Sequence, residues 1–235
     1  MNTLPENITS IGEKNVTFKV EGREDGHGYL SSENVDSEYG IVLIQEWWGL
    51  NKSITLTADR FAKKGFRVLI PDLYRGKVGA NAEQAGHLMT GLDFQGAVKD
   101  ISAAGLYLKS LGCQKVGVTG FCMGGALVIA NLASSDVFGA GVPFYGVPDL
   151  NYFKLENIKV PVLAHFGDLD KAKGFSDPET AKNLEEKAKE AGVNFTLHLW
   201  EGGDHAFMNQ DSNHYNPDVA AKALEETVEF FKNNL

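Results

Sequence analysis

The apolar residues of the chain recur in two patterns, of which the first is typical of strands. Segments 15–20 and 27–30 alternate apolar and polar residues, which predicts a half-exposed antiparallel pair. Segment 194–200 alternates in the same way and is predicted to be an edge strand. Other runs are almost continuously apolar, as strands are when both faces of a parallel sheet are covered. These runs are residues 41–45, 66–70, 115–119, 141–145 and 160–166.

The second pattern has the helical repeat of about 3.6 residues. It occurs in residues 53–64, 94–111, 124–133, 178–191 and 216–231. Because strands alternate with helices, the sequence predicts an α/β fold with a mostly parallel sheet of about eight strands and helices on both faces. The chain has no internal repeat, low-complexity tract or linker, and we therefore expect a single domain over residues 1–235.

Composition and charge narrow the classes of function. The chain has 235 residues with 22 Lys and Arg against 31 Asp and Glu, a net charge of −9. This acidic balance argues against nucleic-acid binding, which needs a clustered basic patch. No apolar run reaches the ~20 residues of a membrane span, and the first ten residues lack the pattern of a signal peptide. We therefore expect a cytoplasmic monomer or homodimer whose partner is a small-molecule substrate, with no nucleic-acid or membrane binding.

The two cysteines need separate explanations. Cys113 and Cys122 lie nine positions apart, so they make no disulfide framework, and a reducing compartment is expected. Cys122 is the centre of a G-x-nucleophile-x-G pattern between a predicted buried strand and a predicted apolar helix. A helix N-terminus there would stabilise a thiolate, and the N–H of Met123 would bind an oxyanion. The alternative for Cys122 is a small buried cysteine in a glycine-rich turn. Cys113 is interpreted as a packing residue.

A histidine and an aspartate follow Cys122 in the order that a nucleophile, an acid and a base take in α/β-hydrolases. His205 lies in a polar, glycine-rich loop after the last predicted strand, and the other five histidines are interpreted as structural. Asp168 and Asp170 both follow the preceding strand. We prefer Asp170 as the acid that orients His205, because it lies farther beyond the strand end, and interpret Asp168 as a turn-forming residue.

A further candidate site follows the first buried strand. Glu46, Trp47 and Trp48 come where that strand is predicted to end, and ligands of open α/β sheets bind at the carboxyl ends of the strands. The N–H of Trp47 could supply a second oxyanion donor, and the indoles could form the wall of an apolar pocket. The alternative is a capping carboxylate with two packing tryptophans.

Taken together, these segments resemble the dienelactone hydrolase family of cysteine α/β-hydrolases. The resemblance spans residues 41–207, and its motifs occur in the family's order and spacing. They are residues 45–49 (QEWWG), 71–77 (PDLYRGK), 120–125 (GFCMGG), 143–146 (PFYG), 167–170 (GDLD) and 204–207 (DHAF). The resemblance implies an α/β-hydrolase fold and the hydrolysis of a small ester or lactone, with no cofactor and no metal.

The resemblance also implies roles for individual residues. It implies a Cys122–His205–Asp170 triad, with Glu46 against the thiol controlling its ionisation. It implies an oxyanion hole from the N–H groups of Met123 and Trp47. In such a mechanism the Cys122 thiolate attacks the carbonyl, the alcohol leaves, and water hydrolyses the thioester with His205 as base.

The substrate-binding residues are predicted from the same resemblance. Arg75, with Lys77 as an alternative, stands near the position of a basic residue that holds the carboxylate of dienelactone in family members. Asn209 stands four positions beyond the histidine, where those members carry a second arginine, and an amide lacks that charge. This departure argues against dienelactone itself as the natural substrate. The remaining predicted substrate contacts are Trp48, Tyr145 and Phe207.

Two other classes of function are considered. A redox or thiol-transfer protein normally has a C-x-x-C pair or a nearby resolving cysteine. Cys113 is separated from Cys122 by a predicted strand, which argues against this class. A non-catalytic small-ligand-binding protein with the same fold would be indicated by loss of the nucleophile, base or acid, and all three are present in this chain.

Overall fold

The computed structural model describes residues 11–31 and 36–235. Their eight strands run in the order β1-β2-β4-β3-β5-β6-β7-β8 in a mostly parallel sheet, numbered along the chain, which confirms the predicted fold class. The described residues form two compact units, one up to Val116 and one from Gly117 onward. The single domain expected over residues 1–235 stays a prediction. The first ten residues, which lack the pattern of a signal peptide, lie outside the described residues.

The first unit contains two antiparallel strand pairs, the second of them between its second and fourth strands, and one parallel pair. Its strands are β1 (Val16–Phe18), β2 (Gly26–Leu30), β3 (Tyr39–Ile44) and β4 (Arg67–Pro71). β1 and β2 are antiparallel, as the alternation at 15–20 and 27–30 predicts. β3 and β4 are parallel, with Ile41 opposite Val68, and every residue of β3 after Tyr39 is buried.

Three helices of the first unit start at polar N-caps. They are α1 (Lys52–Ala62), α2 (Ala82–Thr90) and α3 (Phe94–Ser110). The side chains of Asn51, Asn81 and Asp93 each accept a hydrogen bond from the N–H three residues on, which satisfies a donor of the first turn. The residue pattern does not predict α2, because Ala85 is the only buried residue of this helix and its apolar periodicity is correspondingly weak.

The second unit is an alternation of parallel strands and helices. Its strands are β5 (Lys115–Phe121), β6 (Ala140–Phe144), β7 (Val162–Gly167) and β8 (Phe195–Trp200). Its α-helices are α4 (Met123–Leu132), α5 (Pro178–Glu190) and α6 (Pro217–Asn234). The four strands are mutually parallel, and β8 ends the sheet order as the predicted edge strand. Parallel strands end at the same edge of a sheet, so the loops after β5, β7 and β8 meet there.

Helix α4 is buried along its whole length, as its nearly uniform apolar sequence predicts. Helices α5 and α6 are amphipathic, and each has a proline in its first turn. In the described ranges, no helix combines the length and the hydropathy needed to cross a bilayer.

Candidate active site

Cys122 sits at a strained turn between β5 and α4. Its φ is 56°, a left-handed conformation that is unusual for a residue with a side chain, and only 8% of the residue is exposed. Its N–H donates to the Phe144 carbonyl (3.1 Å), and its carbonyl accepts from the N–H of Ala126 (3.2 Å). A Cβ on Gly146 would collide with the Cys122 carbonyl oxygen, which explains why a glycine stands at that position. The turn therefore holds Cys122 at the N-terminus of α4, with Met123 as the first helical residue.

His205 and Asp170 form a hydrogen-bonded pair. Nδ1 of His205 lies 2.8 Å from Oδ2 of Asp170, whose side chain is 1% exposed against 29% for His205. The second oxygen of Asp170 accepts from the N–H of Ala172 (2.9 Å), which fixes the carboxylate. The alternative acid, Asp168, is exposed and accepts instead from the N–H of Gly202 (2.7 Å). The geometry therefore favours Asp170 as the partner of His205.

Backbone contacts hold the loops after β7 and β8 together. The N–H of Leu169 donates to the Gly203 carbonyl (2.9 Å), and that of Asp168 donates to the Trp200 carbonyl (3.0 Å). A Cβ on Gly167 would collide with the Gly203 carbonyl oxygen, so the two chains pass closer than a side chain permits. The side chain of Asp168 stabilises the same loop contact by accepting from the N–H of Gly202. This packing brings the acid and the base to one point of the sheet edge.

The electrostatics of the pair favour a protonated imidazole. Burial lowers the pKa of His205, but hydrogen bonds to Asp170 and Cys122, together with their charges, outweigh it and raise that pKa to about 10. Burial raises the pKa of Asp170, but hydrogen bonds from His205, Ala172 and Ser176 and the His205 charge more than offset it, and the net shift is downward. Asp170 is therefore a buried anion. At neutral pH the imidazole of His205 is protonated, and it lies between Asp170 and Cys122.

Ser176 belongs to this cluster and is not predicted from the sequence. Oγ of Ser176 lies 3.0 Å from Nδ1 of His205, and its hydroxyl also hydrogen-bonds Asp170. Ser176 is fully buried, in the loop between β7 and α5. A single serine in a polar loop carries no periodicity or motif, so its position depends on the fold of the loop and cannot be found from spacing.

Aromatic rings surround the imidazole. Tyr145 is fully buried at φ 33°, and its ring lies 5.2 Å from those of His205 and Phe207. Phe207 is also fully buried, and the ring of Phe175, which was not predicted, lies 6.1 Å from His205. Of the predicted substrate contacts, Tyr145 therefore packs against the base, and Phe207 packs against Tyr145. Asn209 is partly exposed, and its Oδ1 accepts from the N–H of Asp211 (2.9 Å).

The remaining predicted site residues belong to the first unit. Glu46 lies two residues beyond the end of β3 and is 8% exposed. Trp47 and Trp48 are partly exposed, with ring centroids 4.9 Å apart. Arg75 forms two hydrogen bonds of 2.8 Å to the carboxylate of Asp100, so its guanidinium already has a structural partner within this unit. The roles predicted for these residues stay predictions, and for Arg75 this ion pair is a competing explanation.

One group of side chains in the described residues has the spacing of metal ligands. Its ligand atoms, from His165, His198 and Glu226, lie within 4.8 Å of one another. His165 already uses both ring nitrogens: Nδ1 accepts from the indole N–H of Trp200 (3.1 Å), and Nε2 bonds Thr227 Oγ1 (3.1 Å). Binding a metal through Nδ1 would displace the indole, so the group is explained as a hydrogen-bond network.

The chain is similar to known proteins along most of its length. Residues 27–235 match the model of the dienelactone hydrolase family. Protein usf of Aquifex pyrophilus is 36% identical over 208 residues, which is 83% of this chain and 88% of that protein. Carboxymethylenebutenolidase of Pseudomonas putida is 29% identical over 202 residues, 81% of this chain and 84% of that enzyme. The crystal structure of a dienelactone hydrolase-like promiscuous phosphotriesterase from metagenomic libraries has a TM-score of 0.77 at 20% identity, covering 94% of this chain and 97% of that one. At this identity the likeness concerns the fold.

Proposed function

Because the chain belongs to the dienelactone hydrolase family, and is therefore a carboxylic ester hydrolase, we propose that it cleaves small esters or lactones through the thiolate of Cys122. The observation that supports this proposal is the position of His205, which hydrogen-bonds both Asp170 and Cys122. That is the arrangement of nucleophile, base and orienting acid required for covalent acyl transfer.

In the acylation step, the Cys122 thiolate attacks the carbonyl carbon and the carbonyl oxygen becomes an oxyanion. The N–H of Met123 lies at the positive end of α4 and is the proposed donor to that oxyanion. His205, protonated at neutral pH, gives its proton to the departing alkoxide as the C–O bond breaks. The products of this step are an alcohol and a thioester on Cys122. In a lactone the alcohol stays attached to the acyl group.

Deacylation requires His205 to act as a base. Two of the interactions that raise its pKa come from Cys122, and both are lost once the sulfur is acylated. The pKa of His205 therefore falls in the acyl-enzyme, and the neutral imidazole can take a proton from water as the water attacks the thioester. The thiolate leaves, the acid departs, and the proton on His205 restores the starting state. Asp170 stays ionised and holds the imidazole throughout.

The proposed substrate class depends on Asn209, which stands four positions beyond His205. Family members that act on dienelactone hold its carboxylate with an arginine where this chain has Asn209. The side-chain oxygen of Asn209 is bonded within its own loop, and an amide supplies no charge. We therefore propose neutral esters and lactones as substrates, in preference to dienelactone. The roles of Glu46 and Trp47 in controlling the thiol and binding the oxyanion remain part of this proposal.

The chain itself offers a matched pair of cysteine variants as the test. Cys122→Ala removes the proposed nucleophile, and we expect kcat/KM on a panel of chromogenic esters and lactones to fall by on the order of 10⁴-fold or more. Cys113→Ala removes a buried thiol that hydrogen-bonds the Ser37 carbonyl (3.4 Å) and whose pKa is raised by burial, and we expect near wild-type activity. Undiminished hydrolysis by Cys122→Ala would contradict the mechanism. Wild-type protein that binds the panel without hydrolysing any member would identify a ligand-binding protein instead.

A further inference from the structure

We propose that Ser176 is a positioning residue for the Asp170–His205 pair, holding the carboxylate and the imidazole in one fixed arrangement. The proposal rests on the proposed function, because it assigns Ser176 to the same site. It is carried by geometry: Oγ of Ser176 lies 3.0 Å from Nδ1 of His205, its hydroxyl also hydrogen-bonds Asp170, and the residue is fully buried.

The loop after Asp170 is built to bring this hydroxyl back to the pair. Gly174 has a φ of +76°, which turns the chain at a conformation that glycine adopts without strain. After that turn, the N–H groups of Phe175, Ser176 and Asp177 all donate to the carbonyl of Ala172, at 2.9 to 3.2 Å. Three donors on one carbonyl fix the backbone of Ser176, so its side chain has a defined direction.

The hydrogen-bonding capacity of a hydroxyl fits this position. Nδ1 of His205 carries one proton, and the shorter contact directs it to Oδ2 of Asp170 (2.8 Å against 3.0 Å for Ser176). Oγ of Ser176 accepts a share of that proton, while its own O–H is donated to Asp170. The three groups thus form a closed triangle that favours the tautomer of a neutral His205 with the proton on Nδ1, because the other tautomer would set the Nδ1 lone pair against Oδ2 of Asp170.

This arrangement has two consequences for the reaction. The Ser176 donor helps to lower the pKa of Asp170, which keeps the carboxylate ionised although it is buried. The triangle also prevents rotation of the imidazole, so that Nε2 stays directed at Cys122 in both half-reactions. Orientation of this kind affects the chemical step and leaves substrate binding nearly unchanged.

Thr180 supplies a matched control, because it stabilises the same loop without touching the pair. Its Oγ1 accepts from the N–H of Gly174 (3.1 Å) and donates to Asp177 (2.5 Å). Thr180→Ala therefore removes hydroxyl contacts that hold the loop, as Ser176→Ala does, but leaves Asp170 and His205 with all their partners. A purely structural role of Ser176 predicts equal effects of the two variants.

The experiment compares Ser176→Ala, Ser176→Thr and Thr180→Ala by ester hydrolysis and by proton NMR of the His205 Nδ1–H resonance. We expect Ser176→Ala to lower kcat about tenfold or more with KM within about twofold, and to shift or broaden the resonance. Thr180→Ala should stay within about twofold of wild type, and Ser176→Thr should recover activity because it keeps the hydroxyl. Wild-type kcat and an unchanged resonance in Ser176→Ala, or equal losses in Ser176→Ala and Thr180→Ala, would overturn the proposal.

Failure of this inference is distinguishable from failure of the proposed function. The Nδ1–H resonance reports the geometry of His205 and Asp170 without any substrate. If Cys122→Ala kept its activity, the catalytic mechanism would be wrong, but a resonance that responds to Ser176→Ala and not to Thr180→Ala would still support the positioning role. If only Cys122→Ala behaved as expected, the mechanism would stand and Ser176 would be an ordinary loop residue.

Discussion

Two histidines of the second unit, His205 and His165, are both largely shielded from water, yet they are driven to opposite protonation states. The pKa of His205 is raised to about 10, whereas that of His165 is lowered to about 3. His165 lies on β7 and is completely buried, and His205 lies in the loop after β8 with 29% of its side chain exposed. The strand that carries His165 leads into the loop that carries Asp170.

The partners of the two rings explain the difference. Burial penalises the charged form of both. At His205, the anionic carboxylate of Asp170 and the side chain of Cys122 more than compensate for this penalty. At His165, the hydrogen-bond partners are the neutral Trp200 indole and the Thr227 hydroxyl, and the charge of His198 lowers the pKa further.

The comparison shows how the fold separates a structural histidine from a reactive one. His165 donates from Nε2 to Thr227, and the Thr227 hydroxyl donates to the Ala223 carbonyl (2.7 Å). The hydrogen bonds of the ring are therefore used within the contact between β7 and α6. His205 has a carboxylate on one side and the proposed nucleophile on the other, which suits the proton transfers of the proposed mechanism. A buried anion, and not burial itself, makes the difference.

The largest effect is expected when His205 loses its anionic partner, so that its surroundings become as uncharged as those of His165. Asp170→Asn removes the anion from His205 and offers an amide that can donate to Nδ1, which favours the wrong tautomer. We expect kcat to fall by on the order of 10³–10⁴-fold. Without the carboxylate of Asp170, the pKa of His205 falls below its value of about 10 in the wild type. We therefore also expect that, as pH rises, the variant loses activity at a lower pH than the wild type does. A pH–rate profile on a chromogenic ester measures both.

Asp168→Asn is the matched control for this substitution. Its amide oxygen can still accept from the N–H of Gly202, as Oδ1 of Asp168 does, and Asp170 is left intact. We expect activity within about threefold of wild type. Equal losses in the two aspartate variants would mean that loop structure, and not the charge beside His205, sets the rate.

The next largest effect concerns the neutral histidine and the acid stability of the protein. Below the ordinary pKa of 6.5, the unfolded chain gains a proton at His165, but the native protein does not until about pH 3. The contribution of this residue to the free energy of unfolding is therefore complete above pH 6.5 and is lost as pH falls toward 3. The slope is about 1.4 kcal/mol per pH unit, or roughly 4–5 kcal/mol in all.

His165→Gln isolates that contribution, because its amide can accept from the Trp200 indole and donate to Thr227 without titrating. Urea unfolding between pH 3 and 7 should show a shallower loss of stability in the variant than in wild type. The comparison concerns the slope and not the absolute stability, since the substitution itself has a cost. Parallel slopes would show that His165 does not stay neutral in the native protein, and the contrast with His205 would fail.

Residue pattern and spacing could predict the parts of this molecule that depend on periodicity or on chain order. The buried runs become β3 to β7, and the order of Cys122, Asp170 and His205 places all three at the ends of parallel strands. Where alternatives remained, as between Asp168 and Asp170, only the packing of the two loops distinguishes them. The catalytic roles themselves stay predictions until the variants are measured.

Features that depend on tertiary contacts could not be predicted. Ser176 reaches His205 only because the chain reverses at Gly174, and nothing in the spacing of residues 170–176 requires that turn. The place of Arg75 in a motif predicts a substrate contact, but Asp100, 25 positions away, binds its guanidinium. A motif fixes local backbone well, whereas the partner of a long side chain depends on which residues the fold brings close.

The smallest expected effect tests whether the neutral site truly lacks an anionic partner. Glu226 hydrogen-bonds His198 (2.7 Å) and lies 3.9 Å from Nδ1 of His165, with 38% of its side chain exposed. Because solvent screens a half-exposed pair, we expect Glu226→Gln to change the free energy of unfolding at pH 7 by less than about 1 kcal/mol and to leave ester hydrolysis unchanged. A loss above about 2 kcal/mol in urea unfolding would mean that this carboxylate is coupled to the buried ring. Both His165 and His205 would then interact with a carboxylate, and they would differ only in the strength of that interaction.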